Sequence, residues 1–275
     1  MIALPPLDSI RARLLLLASL AVFGLIAISL VQRHFQQLDD RLQQTRYTVK
    51  TLEADMLMLR RNEKDFLARR LLKYRDRFNA NFEQLIADLE RLQQLLIDLD
   101  EDPQTAGRLK RIFENYHQSF LQLVALQERM GLTPKSGLTG RLRDAVHQVE
   151  SIVSEQKQDR LMKDMLMLRR REKDFMLRQR LKYRKKFDAD LQVFVRDLEN
   201  SPINGESRQR ISALMQDYAD AFHAYVAAAE DKGLDSDSGL HGTMRAAIHE
   251  SEQALRQLDE KVGERLQRLS KQAHL

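Results

Sequence analysis

Two short segments of the chain carry the same closely spaced basic side chains. Each segment has a pair of arginines followed by a lysine, and the six residues are Arg60, Arg61, Lys64, Arg169, Arg170 and Lys173. A guanidinium group can bind a carboxylate through two parallel hydrogen bonds, and a lysine adds a further positive charge. These side chains are therefore candidate ligand-binding residues for a small carboxylate. The alternative is that they only form ion pairs with nearby acidic side chains, which are almost as numerous.

The two segments belong to an internal duplication. Residues 55–90 and 164–199 align without a gap and share 21 of 36 residues. A second stretch of similarity follows downstream, so the duplication covers about residues 55–150 and 164–252. Two copies are too few for a solenoid of stacked repeats, which needs at least about three units.

Each copy places one acidic residue among apolar ones. On a helix, Glu63 shares one face with Leu59 and Phe66. Glu172 has the same position in the second copy. Burying a charged carboxylate is unfavourable unless it is paired and hydrogen-bonded. We therefore expect Glu63 and Glu172 each to bind an Arg or Lys side chain on a facing helix.

A second repeated motif lies downstream of the first. It reads Ser-Gly-Leu-x-Gly and is followed by an arginine and a histidine one helical turn apart. The glycines predict a turn that leads into a helix, whose free backbone N–H groups are suited to an anion. The secondary ligand-binding candidates are therefore Arg143, His147, Arg245 and His249. The alternative is an ordinary loop that leads into a helix with packing residues.

The sequence contains no recognisable set of catalytic residues. Cysteine is absent, so thiol chemistry and cysteine-based zinc sites are excluded. There is also no HExxH motif, no Ser/His/Asp grouping and no glycine-rich phosphate loop. We predict that the chain is not an enzyme and that it uses no metal and no cofactor.

The charged residues are mixed along the chain rather than clustered. The chain contains 45 Lys and Arg residues and 40 Asp and Glu residues, which gives a formal net charge of +5. A nucleic-acid-binding protein would concentrate its basic residues in one stripe. Because they are dispersed here, we expect a solvated helix surface and no nucleic-acid partner.

An uncharged apolar run occupies residues 14–31, with Arg11 and Arg13 before it. At about 1.5 Å per residue this run nearly spans a hydrocarbon core of about 30 Å, so it predicts a transmembrane helix. A cleaved signal peptide is the alternative, although its apolar region usually has only about 7–15 residues. Because basic flanks stay in the cytoplasm, we expect residues 1–13 to form a cytoplasmic tail. Residues 32–275 would then be periplasmic, with the helix in the inner membrane of a Gram-negative cell.

Glycine and proline are concentrated in a few short clusters. Neither occurs in residues 25–102, 141–201, 206–232 or 243–262, and we interpret these stretches as uninterrupted helices. Apolar residues recur at intervals of three and four, and no stretch alternates with a period of two. The predicted fold is therefore all-α, with long antiparallel helices joined by short turns.

The two repeated motifs together resemble a known family. The motif Leu-Arg-Arg-x-Glu-Lys-Asp-Phe and the downstream Gly-Leu-x-Gly motif are similar to those of the helical bimodular sensor domain of methyl-accepting chemotaxis proteins and some sensor kinases. The resemblance covers roughly residues 31–275 and both copies of both motifs. It implies two stacked four-helix bundles that share long helices, a homodimeric receptor and binding of small organic acids. It also implies ligand-facing basic residues near Arg60 and from Arg169 to Lys173.

The chain departs from such receptors in two ways. Glu63 stands where related domains can carry a further basic residue, so the resemblance does not define the ligand. A chemoreceptor also needs a second membrane helix and a cytoplasmic signalling region, whereas this sequence ends at Leu275 on a polar helix. We therefore interpret the sequence as the sensory part of a longer protein.

Two functions are consistent with these features. The first is an extracytoplasmic sensory domain of a chemoreceptor, which binds small organic acids and signals across the membrane. The second is a membrane-anchored helical module that binds a periplasmic protein partner, such as a periplasmic binding protein, including as the input domain of a sensor kinase. Buried charge in both copies favours the first function, since a rod built for protein contacts would keep an uninterrupted apolar seam.

Overall fold

The computed structural model describes residues 10–273, which form eight α-helices joined by short turns. Helices are the only regular secondary structure in this range, so the prediction of an all-α fold is confirmed. The predicted cytoplasmic tail lies mostly outside the described residues, as does the side chain of Arg11. The helices are α1 (Ile10–Arg69), α2 (Lys73–Asp98), α3 (Gln104–Met130), α4 (Gly137–Glu155), α5 (Asp159–Arg178), α6 (Lys182–Glu199), α7 (Gly205–Lys232) and α8 (Gly239–Ala273).

The apolar run of residues 14–31 lies in the N-terminal part of α1. Its large side chains are exposed, and Phe23 and Leu15 have 72% and 71% of their surface accessible. An uncharged helix with apolar side chains all round is what a lipid bilayer requires of a spanning segment. This part of α1 is long and apolar enough to span a membrane. The same helix continues without a break to Arg69, so it also carries the first arginine-rich motif.

Two of the long glycine-free stretches are not continuous helices. Residues 25–102 are interrupted between α1 and α2, and residues 141–201 are interrupted on both sides of α5. At these turns Arg70, Lys157 and Gln179 adopt positive φ angles of 55°, 52° and 51°. The prediction of uninterrupted helices is wrong here, because ordinary residues occupy the left-handed positions that glycine usually marks.

An aromatic ring lies at the turn that follows each arginine-rich motif. The backbone N–H of Tyr74 donates to the carbonyl oxygen of Leu71 at 3.1 Å. The buried Tyr74 ring lies 5.8 Å from the guanidinium of Arg69 and 5.2 Å from the ammonium of Lys73. Tyr183 has the equivalent contacts in the second copy. Such cation–π contacts stabilise by about 0.5–1 kcal/mol at exposed sites, so they help to fix both turns.

Residue packing divides the chain into two compact units. Unit 2 consists of Asp55–Gln84 and Lys110–Glu252, and unit 1 consists of Leu85–Leu109 with the chain before Asp55 and after Glu252. Helices α4 to α7 belong to unit 2 alone, whereas α1, α2, α3 and α8 contribute residues to both units. The outer limits of unit 2 coincide with those of the predicted duplication.

In unit 2, helices α4 to α7 pack around one hydrophobic core. Helix α4 contacts α5 and α7, and α6 contacts the same two helices. The Phe187 ring lies 4.2 Å from that of Phe222 and 5.4 Å from that of Tyr218, and all three side chains are inaccessible to solvent. Burying each large apolar side chain stabilises the fold by about 1.5–3 kcal/mol, so this aromatic cluster anchors α6 on α7.

The parts of α1, α2, α3 and α8 that belong to unit 2 repeat this packing. Phe78 on α2 lies 3.9 Å from Phe120 and 5.5 Å from Tyr116 on α3, measured between ring centroids. On α8, the buried hydroxyl of Ser251 lies 3.3 Å from the sulfur of Met56, which joins α8 to α1. The two copies of the duplication therefore build matching aromatic clusters.

Unit 1 contains buried leucines and ion pairs between helices. Leu42 on α1 and Leu258 on α8 are both buried. Beside them, the ammonium of Lys50 on α1 pairs with the carboxylate of Asp259 on α8 at 3.0 Å. Apolar burial supplies most of the stabilisation here, since a partly exposed ion pair is worth at most about 1 kcal/mol.

The glycines of the second repeated motif are required by close backbone approach. A Cβ atom at Gly140 would lie 2.6 Å from the backbone oxygen of Lys135, and one at Gly242 would lie 2.4 Å from that of Asp237. Real Cβ atoms do not approach backbone oxygens so closely. The motif therefore sets the first turns of α4 and α8, and the ordinary-loop alternative accounts for these glycines.

Candidate functional site

Two cavities of unit 2 contain most of the predicted binding residues. The first, named the α1/α8 cavity, has a volume of about 290 Å³, and the second, named the α4/α5 cavity, has a volume of about 340 Å³. The polar residues that line the α1/α8 cavity include Arg60, Glu63, Lys64, His241, Arg245 and His249. Those that line the α4/α5 cavity include Thr139, Arg143, His147, Arg169, Glu172 and Lys173.

The two cavities use matching positions of the duplication, but each combines both copies. In the α1/α8 cavity the arginine-rich motif comes from the first copy and the Gly-Leu-x-Gly motif from the second. The α4/α5 cavity has the reverse combination. Residues of the two motifs, which lie far apart in the sequence, therefore line the same cavities. Sequence similarity between the copies does not reveal this exchange, because it does not say which helices pack together.

Each cavity contains an arginine whose guanidinium already binds an internal carboxylate. In the α1/α8 cavity, Nη1 of Arg60 donates to Oε1 of Glu252 at 2.9 Å. In the α4/α5 cavity, Nη1 of Arg169 donates to Oε1 of Glu150 at 2.6 Å. Both pairs are partly exposed, so solvent screens them and each contributes little to stability. These contacts show that a carboxylate group fits against each arginine.

A histidine flanks each of these glutamates. Nδ1 of His249 lies 3.4 Å from Oε2 of Glu252, and Nδ1 of His147 lies 3.4 Å from Oε2 of Glu150. The histidines are one helical turn before the glutamates on α8 and α4, and they also line the cavities. Each glutamate therefore contacts the arginine through Oε1 and faces the histidine with Oε2.

The second arginine of each cavity lies on the opposite helix. Arg245 on α8 donates from Nη1 to Oγ of Ser236 at 3.0 Å and to Oδ1 of Asp237 at 2.9 Å. Arg143 on α4 has the equivalent position in the other cavity. Arginines from two helices therefore line each cavity, and two guanidinium groups in one cavity suit a bound anion.

The remaining two primary candidates lie outside both cavities. Arg61 has 74% of its side chain exposed and lies 4.0 Å from Asp65 one turn along α1. Arg170 is exposed on α5. For Arg61 the surface ion-pair alternative describes what is seen, since such i,i+4 pairs are weak and solvated.

A buried glutamate lies in the wall of each cavity, but its partners differ from those expected. Oε2 of Glu63 accepts from the Tyr116 hydroxyl at 2.6 Å, and Oε2 of Glu172 accepts from the Tyr218 hydroxyl at 2.7 Å. Oε1 of each glutamate accepts from the ammonium of the next residue on its own helix, which is Lys64 in the first copy. The expectation of an Arg or Lys on a facing helix is therefore wrong: the facing helix supplies a tyrosine. The sequence signal is the spacing of Tyr116 and Tyr218 in the apolar faces of α3 and α7.

Both tyrosines act as hydrogen-bond donors. Burial, the negative charge of Glu63 and the hydrogen bond to it raise the pKa of Tyr116 well above its ordinary value. Burial and Glu172 raise the pKa of Tyr218 in the same way. The phenol groups therefore stay protonated at neutral pH, and each donates a hydrogen bond to its glutamate.

Among the differences between the two cavities, one places an imidazole opposite a hydroxyl. His241 lines the α1/α8 cavity where Thr139 lines the α4/α5 cavity. Burial and the positive charge of Lys232 lower the pKa of His241, with a smaller contribution from Lys64, although Glu63 acts in the opposite direction. His241 is therefore a neutral imidazole at pH 7 and can donate or accept a hydrogen bond.

A further cavity of about 210 Å³ lies in unit 1 and is lined by both leucines and charged side chains. Its acidic residue Glu101 pairs with Lys261 and Arg265. Burial alone would raise the pKa of Glu101, but its bonds to these two cations lower it. Glu101 therefore already pairs with both of these cations, as internal carboxylates do with the arginines Arg60 and Arg169 in unit 2.

No protein-family model matches the chain, and no curated protein matches it. Among the described residues, no three His, Cys, Asp or Glu side chains are grouped so that they could hold a metal ion. The paired cavities and the residues that line them are therefore the features that point to a function.

Proposed function

We propose that this chain is the extracytoplasmic ligand-binding domain of a membrane receptor of the chemotaxis or sensor-kinase type, and that it binds small organic acids. In this proposal residues 14–31 of α1 cross the inner membrane and the remainder is periplasmic. The resemblance of both motif copies to the helical bimodular sensor domain supports this assignment. The length and apolarity of the N-terminal part of α1 also support the membrane-spanning part of this assignment.

One observation carries the proposal: arginines from two helices face the same cavity, and this arrangement occurs twice. The pairs are Arg60 with Arg245 and Arg143 with Arg169. A bidentate contact between guanidinium and carboxylate contributes about 1.5–3 kcal/mol. Two such contacts would supply a large part of the roughly 8 kcal/mol that corresponds to micromolar affinity. The cavities, at about 290 and 340 Å³, have room for small organic acids.

The finer architecture belongs to the same proposal. We propose that the helices form two stacked four-helix bundles and that the receptor is a homodimer, as the resemblance implies. The core shared by α4 to α7 supports the first point. Chemical cross-linking of the full chain in membranes tests the second: a cross-linked dimer is expected, and a monomer at every protein concentration would contradict it.

The binding test uses the full chain in detergent micelles and a panel of acetate, propionate, succinate, malate and citrate. Thermal shift selects the acids that stabilise the protein, and titration calorimetry then measures their affinity. The double variant Arg60→Ala/Arg169→Ala is expected to bind at least about tenfold more weakly, because each cavity loses one bidentate contact.

The matched control is the double variant Arg61→Ala/Arg170→Ala. It removes the same charge from the neighbouring positions, but these side chains lie outside the cavities. Its affinity is expected to stay within about twofold of the parent, since only the general positive field is reduced. Equal weakening in both double variants would mean that the cavities do not recognise the acid.

The second candidate function, a module that binds a periplasmic protein, also has one supporting observation. Leu57 and Leu166 occupy matching positions of the duplication, and 56% and 53% of their surfaces are exposed. Exposed leucines repeated on two helices suit a protein contact. If no organic acid binds and Leu57→Ser/Leu166→Ser prevents capture of a periplasmic binding protein, this second function is the correct one.

A further inference from the structure

A negative charge is built into the wall of each cavity. The side chains of Glu63 and Glu172 are only 6% and 3% exposed, yet both residues line a cavity. A buried carboxylate needs a cation or several hydrogen bonds to offset its lost hydration. A purely anionic ligand bound beside this group would be repelled by it.

The cation that each glutamate uses is a largely exposed side chain. The Lys64 side chain is 65% exposed and the Lys173 side chain is 60% exposed, although their ammonium groups donate to Glu63 and Glu172. A lysine held in one position loses rotamer entropy, and an exposed lysine is readily hydrated when released. A positively charged ligand group could therefore replace each lysine at little energetic cost, while the tyrosine keeps its hydrogen bond.

The arginine side of each cavity mirrors this arrangement. Glu252 pairs with Arg60, and Glu150 pairs with Arg169, and both ion pairs are partly exposed. The protein's own groups thus place a carboxylate on the arginine and an ammonium on the glutamate of the same cavity. Arg60 and Glu63 are three residues apart on α1, so their Cβ atoms lie about 5–6 Å apart. One small molecule can reach both.

We propose that these cavities bind aminocarboxylates, such as α-amino acids, rather than acids without an amine. The ligand carboxylate takes the place of Glu252 or Glu150 on the arginine. The ligand ammonium takes the place of Lys64 or Lys173 on the buried glutamate. This inference rests on the proposed function for the carboxylate contact, and it adds Glu63 and Glu172 as ammonium-binding residues.

The test compares ligands that differ only by an amine. Titration calorimetry on the full chain in detergent micelles measures glycine against acetate, L-alanine against propionate, L-aspartate against succinate, and L-glutamate against glutarate. At least one amino acid is expected to bind about tenfold or more tightly than its partner, because a charge-assisted bond to a buried carboxylate is added. If the acids without an amine bind equally well, this inference is overturned and the organic-acid proposal stands. If no compound of either kind binds, the organic-acid proposal fails as well.

Two double variants test the glutamates and lysines directly. In Glu63→Gln/Glu172→Gln the amide keeps the shape and the tyrosine bond but loses the charge, so the preference for the amino acid is expected to fall at least about tenfold. The control Asp65→Asn/Asp174→Asn removes the same charge from acids that do not line the cavities, and the preference should persist.

The lysine variant remains informative if the glutamine variant does not fold. Lys64→Ala/Lys173→Ala removes exposed side chains and with them the internal competitor for the ammonium site. Amino-acid affinity is therefore expected to rise. If it falls together with the affinity for succinate, the lysines bind the ligand carboxylate and the proposed ammonium site is wrong.

Discussion

Replacing Tyr116 by Phe removes one hydroxyl from the interior and leaves the packing of the ring unchanged. The hydroxyl donates to Glu63 at 2.6 Å, and the exposed fraction of Tyr116 is 0%. A hydrogen bond to a buried charged group contributes about 1.5–3 kcal/mol. We therefore expect Tyr116→Phe to lower the free energy of unfolding by about 2 kcal/mol, and Tyr218→Phe by a similar amount because Glu172 has the same bond.

Thermal unfolding followed by circular dichroism measures this effect. For a chain of this size about 1 kcal/mol shifts the melting temperature by about 2–4 °C, so a decrease of about 4–8 °C is expected. The control is Tyr47→Phe. Because Tyr47 is 72% exposed, this variant should have the same melting temperature as the parent. Adding Glu63→Gln to Tyr116→Phe should restore part of the loss, since a neutral amide is less costly to bury than an unpaired carboxylate.

A Tyr116→Phe variant that melted within 1 °C of the parent would refute this prediction, because roughly 2–4 °C is expected per kcal/mol. In that case Lys64 alone would be enough to stabilise Glu63. The same result would weaken the proposed ammonium site, because Lys64 could not then be released without a substantial loss of stability.

The glutamates beside the cavity arginines, the glycines of α8 and His241 can each be tested by substitution. Glu150→Gln and Glu252→Gln each remove an internal carboxylate from a cavity arginine. Titration calorimetry should then show an affinity for the organic acid that is at least about threefold higher than in the parent. A lower affinity would mean that these glutamates orient the arginines instead. Gly242→Ala places a Cβ atom 2.4 Å from a backbone oxygen and should destabilise the protein by about 1–3 kcal/mol. Gly263→Ala has open space around its Cβ atom and should stabilise the helix by about 0.5–1 kcal/mol. Urea unfolding measures both changes. Because the pKa of His241 is lowered on folding, the unfolded chain binds more protons as the pH falls through the ordinary value of 6.5. Stability is therefore expected to decrease below that pH, and His241→Gln should reduce this decrease; identical pH profiles of unfolding would show that His241 is not responsible.

The sequence predicted the helical class because Gly and Pro are confined to short clusters and apolar residues recur at three and four. It did not predict the turns at Arg70 and Gln179, because their left-handed backbone is carried by residues that are usually helical. The Lys-Tyr pair after each turn, Lys73-Tyr74 in the first copy, is the only local signal for it.

Charge and repetition in the sequence identify the candidate residues, but they do not identify the side chains that surround each candidate in the fold. Charge alone does not distinguish Arg60, which lines a cavity, from its neighbour Arg61, which faces solvent, because only helix packing decides which one is turned inward. The tyrosine partners of the glutamates were missed for a similar reason. A phenol in an apolar face resembles any other core aromatic until the carboxylate opposite it is known.

The exchange of motifs between copies resembles the result of domain swapping, in which identical chains trade an equivalent element. Here the exchange takes place inside one polypeptide, so different segments of the same gene encode the two cavities. Two identical subunits would be obliged to keep identical sites, because one mutation would change both. In this chain a mutation alters one cavity only, and His241 opposite Thr139 shows that the two have already diverged. A single gene can therefore evolve two different sites on one inherited scaffold.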